Sequence, residues 1–313
     1  MVKNHLLKIT LLVFVSVCQA QDLFKPLPQV ENFNENIVNL GKELFYDRLL
    51  SKNQDTSCYS CHYNYGADLN QFSVGHDGKV GNMNAPSVFN LPYNLSYFWN
   101  GRSETLKEQM VSGPLVNDKE MASSKELIEE RLTNSEKYQK LFKKAYNHKP
   151  TFEKMLDAIV EYEKTLISTN SKFDKYLRGE TELSENEKNG LELFTSYGCV
   201  SCHNGINIGG NSYQKFGSVV EYEPKRDSKW LDRFSITNKS EDINVYKVPS
   251  LRNVEKTSPY FHDGSVKELK DAIYTMAYFN IGVILEEQEI FDIESFLKTL
   301  TGEIPKNFEN KND

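Results

Sequence analysis

SCYSCH occupies residues 57–62, and GCVSCH occupies residues 198–203. Each copy carries two cysteines, two residues between them, and a histidine directly after. CxxCH is the attachment pattern for c-type haem. The two thiols add to the haem vinyl groups, the gap sets the sulfur separation, and the adjacent histidine reaches the iron. The chain holds five cysteines. Cys18 stands near the N-terminus; Cys58, Cys61, Cys199 and Cys202 all belong to the two motifs. A disulfide across so short a gap is redox-active and leaves both histidines unexplained. Cysteine pairs of a structural zinc site stand much closer in sequence than these two copies do. The expectation is two covalently bound haem c groups, with His62 and His203 on the irons.

The motifs sit inside a longer repeat. GKELF (41–45) precedes the first and GLELF (190–194) the second. Residues 84–108, NAPSVFNLPYNLSYFWNGRSETLKE, align without gaps to residues 247–271, KVPSLRNVEKTSPYFHDGSVKELKD. Identities include Pro86 with Pro249, Asn90 with Asn253, Phe98 with Phe261 and Gly101 with Gly264. Two related haem domains follow, over residues 21–168 and 169–313. Between the motifs, ELIEERL, KYQKLFKKAY and FEKMLDAIVEYEKTLI repeat apolar residues at three- and four-residue steps, the period of helices. Ser184 followed by Glu187 is a capping box opening another helix. Residues 168–183 are polar and are expected to link the domains. The fold class is mainly α: two cytochrome c-type haem domains related by an internal repeat, with long loops around the haems.

Residues 1–20 read as a secretory signal peptide: Lys3 and Lys8, then a short apolar run, then Cys18-Gln19-Ala20. Export to the periplasm is implied, with lipidation of Cys18 as an alternative. The net charge of −7 excludes a nucleic-acid partner of the usual basic kind.

A haem iron has a sixth position, and its occupant separates carriers from catalysts. His76, in FSVGHDGKVGN, is either a distal ligand on a movable loop or a surface histidine. Met276, in AIYTMAYFNIG, is either a thioether ligand or a core methionine. Met83, Met110, Met121 and Met155 compete with it, and His148 in YNHKP reads as an exposed loop residue. Trp99 takes the position in the first repeat that His262 takes in the second.

Over nearly the whole mature chain the sequence resembles the bacterial dihaem cytochrome c peroxidases. LGKELFYDRLLS, SCYSCH, GHDGKVGNMNAPSVFN, FWNGRSETLKEQM, GPLVNDKEM, GCVSCHNG and KVPSLRNVEKTSPYFHDGS carry the likeness. The resemblance implies a peroxide-reacting first haem with His62 proximal and His76 distal. It implies an electron-transfer second haem held by His203 and Met276, with Trp99 as relay between them. Gln109 and Glu120 match the family's catalytic pair. Asn84, with the backbone carbonyls of Thr257 and Pro259, matches its interdomain calcium site. Hydrogen peroxide, a small electron-donor protein (a c-type cytochrome or cupredoxin) and a homodimer come with the family. Two other readings are a protein-modifying oxidase of the methylamine-utilisation type, which carries tyrosine where Met276 stands, and a non-catalytic dihaem carrier.

Overall fold

The computed structural model describes residues 23–28, 32–222 and 231–309; the expected signal peptide lies outside them. Helix α1 (Glu35–Tyr46) starts where the Asn34 side chain accepts from the amides of Asn36 and Ile37. One helical turn, α2 (Cys58–Cys61), holds the first cysteine pair. It is followed by α3 (Leu106–Ser112), α4 (Lys125–Asn134), α5 (Glu136–Tyr146) and α6 (Phe152–Lys164). The three helices expected from residue periodicity are α4, α5 and α6. Next come α7 (Lys172–Leu177), α8 (Glu185–Ser196), α9 (Phe234–Thr237), α10 (Leu269–Met276) and α11 (Glu287–Lys298). The capping box read at Ser184 and Glu187 opens α8. The strands β1 (Tyr213–Lys215) and β2 (Val245–Lys247) pair antiparallel, Gln214 opposite Tyr246. The fold is therefore mainly α.

Apolar residues gather in two clusters. In the first, Leu40, Leu44 and Phe45 of α1 meet Met155, Ile159 and Tyr162 of α6. In the second, Leu191 and Phe194 of α8 meet Ile293, Phe296 and Leu297 of α11. Helices α1 and α8 each present a glycine to the partner helix. A Cβ on Gly41 would overlap the Ala158 carbonyl, and one on Gly190 the Asp292 carbonyl. Bare glycine thus lets each pair of backbones approach closely. The helix of GLELF ends at Ser196, just ahead of its CxxCH, while that of GKELF ends at Tyr46 and a short turn over Arg48–Leu50 intervenes.

The ends of the described chain cross over. Phe24 joins the second cluster, edge-on to Phe173. Phe308 returns to the first, edge-on to Phe89. Within residues 168–183, the part up to Leu177 is largely buried, while Arg178–Glu180 and Glu182 are exposed. Phe173, Tyr176 and Leu177 form an apolar stripe on α7, and Ser168, Ser171 and Asp174 are buried with them. Arg252 reaches Asp174 with two nitrogens, at 3.1 and 3.0 Å, both side chains fully enclosed. Among the described residues no helix is long and apolar enough to cross a membrane.

Several local geometries occur twice, 163 residues apart. The amide of Tyr97 donates to the Ser103 carbonyl at 2.8 Å, and that of Tyr260 to Val266 at 2.6 Å. Phe98 and Phe261 both take positive φ, 66° and 70°. The side-chain amides of Asn90 and Asn253 both donate to the hydroxyl of Ser168, at 2.9 and 2.7 Å.

Candidate active site

At the first motif, one helical turn places Cys58 and Cys61 side by side, both as free thiols. Burial raises both, Cys61 to about 11. His62 ends the turn, and its Nδ1 lies 2.8 Å from the Gly66 carbonyl. A carbonyl only accepts, so Nδ1 carries the proton and Nε2 keeps a lone pair for a metal. Burial lowers the imidazole's pKa and favours its neutral form.

At the second motif, a short turn over Cys199–Ser201 leads to His203, whose amide donates to the Cys199 carbonyl at 2.9 Å. Burial lowers the His203 imidazole to about 4, against a small opposing effect of the Ile208 and Pro249 carbonyls. Cys199, Cys202, His203 and Met276 line one cavity of about 520 Å³. Met276 closes α10, where the chain passes into a π-turn over Ala277–Ile281. Such wide turns recur at functional positions.

These residues fit haem. Two reduced thiols, a neutral imidazole, a thioether and apolar walls are the donor set and lining that c-type haem takes. Lys247 adds a charge argument. It lines the same cavity, is nearly fully buried, and makes no ion pair among the described residues. Burial lowers its ammonium to about 8. A haem carboxylate would supply the missing anion.

His76, Asp55, Glu120 and Asn117 meet at one corner near the first motif. His76 is 5% exposed, and its Nδ1 lies 3.1 Å from Asp55 Oδ2. Its amide donates to the Glu120 carbonyl at 2.6 Å. Of Gly75, Gly78 and Gly81, only Gly78 takes positive φ. Glu120 is half-buried, and Asn117 Nδ2 donates to its Oε1 at 2.8 Å. Burial raises its carboxyl pKa, while the Arg102 guanidinium and the Asn117 bond pull it down. Arg102 lies over the Phe98 ring, 3.3 Å from its centre. The Glu120 charge also bears on both Cys58 and Cys61, which places it at the first motif. Gln109 is half-buried on α3, and its side chain makes no hydrogen bond among the described residues.

Trp99 Nε1 donates to the Asn84 carbonyl at 2.9 Å. Trp99, Asn84, Thr257 and Pro259 all line the second-motif cavity. The Asn84 amide nitrogen points to the Gln71 carbonyl at 3.4 Å, which leaves Oδ1 as an acceptor. Among the described residues no three His, Cys, Asp or Glu side chains gather as a metal site. A cation here would be held by amide and backbone oxygens.

A family model described as di-haem cytochrome c peroxidase matches residues 35–182. The cytochrome c551 peroxidase of Nitrosomonas europaea is 42% identical over 293 residues, covering 92% of this chain and 87% of that protein. The chain belongs to the di-haem cytochrome c peroxidase family. The cytochrome c551 peroxidase of Pseudomonas aeruginosa is 40% identical over 304 residues, with the same two coverages of 92% and 87%. The methylamine utilization protein MauG of Methylorubrum extorquens is more distant, 27% identical over 299 residues, covering 89% of this chain and 82% of that protein. Among solved structures, a MauG-like protein associated with microbial copper homeostasis superposes with a TM-score of 0.80 at 27% identity, covering 92% of this chain and 97% of that one. Asp55, Arg102, Asn117 and Lys247 are not among the residues expected at the site from the sequence. Arg102 and Lys247 carried a signal: they stand in the aligned repeat where the other copy has Ser265 and Asn84.

Proposed function

We propose that the protein reduces hydrogen peroxide to water with two electrons from a small c-type cytochrome or similar donor. Peroxide, two protons and two electrons give two waters. Haem supplies the peroxide-binding iron at the first motif and the electron store at the second. The observation that carries this reading is Glu120, whose carbonyl accepts from the His76 amide at 2.6 Å and whose carboxyl pKa is raised by burial.

The chain's own residues then divide the work. Asn117 occupies Glu120 Oε1, so Oε2 is the oxygen that takes and returns the proton. Burial brings that carboxyl nearer the working pH, where proton transfer in both directions is effective. The Arg102 charge opposes the shift and keeps the carboxylate accessible. Gln109 orients peroxide through its amide without titrating. His76 is the distal ligand that moves to open the site. His203 and Met276 would hold the second haem, where a thioether would give a higher potential than a second histidine. Trp99 relays electrons between the two centres, supported by its place on the cavity wall.

The domains are residues 21–168 and 169–313, each built on one haem and related by an internal repeat. The paired geometries of Tyr97 with Tyr260 and Asn90 with Asn253 support this. One calcium ion sits between the domains on Asn84 Oδ1 and the carbonyls of Thr257 and Pro259, since Ca²⁺ takes oxygen ligands. The protein is exported to the periplasm and forms a homodimer. Met276 and the greater identity to peroxidases favour this reading over the methylamine-utilisation type.

The test is steady-state oxidation of a reduced c-type cytochrome by peroxide, using protein with both haems attached. Peroxide-dependent oxidation is expected, two cytochromes per peroxide. Fully loaded protein that leaves the donor reduced, after half-reduction and with calcium, would remove the assignment.

A further inference from the structure

We propose that Asp55 is a positioning residue that latches His76 in its buried place, and that its carboxylate sets how readily that place is vacated. The inference rests on the reading of His76 as the distal ligand.

The geometry is a two-point clamp. Asp55 Oδ2 lies 3.1 Å from His76 Nδ1 and accepts from the next amide, that of Asp77, at 2.9 Å. The second oxygen, Oδ1, lies 3.3 Å from the same ring nitrogen. Asp77 turns the chain through positive φ, 57°, which directs its amide back at the carboxylate. Asp55 is anchored in turn. Ser51, fully buried, places its hydroxyl 3.2 Å from Asp55 Oδ1 and accepts from the Asp55 amide at 3.1 Å. Asp55 precedes Cys58 by three residues, so the latch joins the haem-attachment segment to the glycine-containing loop.

The chemistry of the bond gives it a function. A carboxylate only accepts, so Nδ1 is the donor of this bond, which leaves Nε2 as the ring nitrogen available to a metal. Carboxylate partners of this kind orient metal-ligating histidines and strengthen their donor nitrogen. For the proximal His62 the hydrogen-bond partner in that role, among the described residues, is the neutral Gly66 carbonyl, with the Asp68 charge acting without a hydrogen bond. The distal ligand is thus the one with the charge-assisted bond, although it is the one that must leave. The His76 amide is also bonded to the Glu120 carbonyl, so release of the loop shifts the segment bearing the proton-transferring carboxyl. Asp55 takes no part in proton transfer itself.

The test uses the holoprotein and three variants. Asp55→Asn keeps volume and an oxygen for the Asp77 amide but removes the charge. Asp55→Ala removes both, and His76→Ala removes the ligand. The readouts are the high-spin fraction by absorption and electron paramagnetic resonance, and cyanide affinity of the oxidised protein. His76→Ala is expected to turn the first haem high-spin and to bind cyanide tightly. Asp55→Asn should raise the high-spin fraction and tighten cyanide binding about 10- to 100-fold, the usual worth of such a partner. Haem content and the second haem's spectrum should not move. If His76→Ala changes the spectrum while both Asp55 variants match the parent, the latch is wrong and the distal ligand stands. If His76→Ala changes nothing, the distal assignment fails and the latch with it.

Discussion

Trp99 and His262 meet edge to face, with ring centres 6.3 Å apart and planes at 71°. They stand at matching positions of the aligned segments. The main chain around them is reciprocal: the Asn84 amide donates to the His262 carbonyl at 2.9 Å, and the Lys247 amide to the Trp99 carbonyl at 2.7 Å. Each segment thus bonds the other's ring-bearing residue. His262 is further covered by Tyr246, stacked at 4.1 Å. One contact surface therefore carries an indole from one side and an imidazole from the other.

Trp99→Phe should preserve much of this packing and lose the bond from Nε1 to the Asn84 carbonyl. The stability cost is about 1 kcal/mol, that of one hydrogen bond. Passage of electrons between the centres should slow, with both haems still attached. Stopped-flow oxidation of the half-reduced variant by peroxide measures it; an unchanged rate would remove Trp99 as a relay.

Glu120→Gln should lower peroxide turnover by roughly 10²- to 10⁴-fold, the range for loss of a positioned acid–base group. Haem staining after denaturing electrophoresis should be unaffected. Arg102→Leu tests the electrostatics. The guanidinium lowers the Glu120 pKa, so its loss lets the pKa rise further. The acid limb of the kcat/KM profile should then move to higher pH. An acid limb that stays in place, or moves down, contradicts the role given to Arg102.

Glu163 lies on α6, 6% exposed, and its Oε2 has no hydrogen-bond partner among the described residues. Burial raises its carboxyl from 4.5 to about 8. The folded state holds this proton through a window in which the unfolded state has released it. Stability therefore falls as pH rises from about 4.5 towards about 8. At pH 7 the cost is on the order of 3 kcal/mol. Glu163→Gln should recover much of it at neutral pH and little at pH 4, measured by denaturant unfolding of the holoprotein.

Arg252 holds Asp174, the Lys25 carbonyl and the Ile206 carbonyl together. Arg252→Leu leaves the Asp174 charge buried and unpaired, at a cost of about 3–5 kcal/mol. The double variant with Asp174→Leu should be less destabilised than the single one. A single variant within 1 kcal/mol or so of the parent would show that solvent reaches the carboxylate.

The two CxxCH patterns were legible from the order of residues alone. They point to haem attachment because sulfur spacing and the adjacent imidazole are local along the chain. The helices were legible because apolar period and caps are local too, as at Ser184 and Glu187. The burial inside residues 168–183 was not legible, because composition does not report enclosure: Ser168, Ser171 and Asp174 are buried, with long-range partners such as Asn90, Asn253 and Arg252. The crossing of Phe24 and Phe308 between clusters had no signal, since a single aromatic near an end fits either core.

By itself, then, the sequence determined that the chain carries two haem-attachment patterns, that the architecture is mainly helical, and which segments recur. Only the tertiary structure brought Asp55 to His76, Arg102 towards Glu120, and Lys247 into an apolar cavity wall. Ligation motifs and helix periods are set by neighbours a few residues apart. The strength of a ligand's hydrogen bond and the proton affinity of a carboxyl depend on burial and charge, which distant segments supply only once folded.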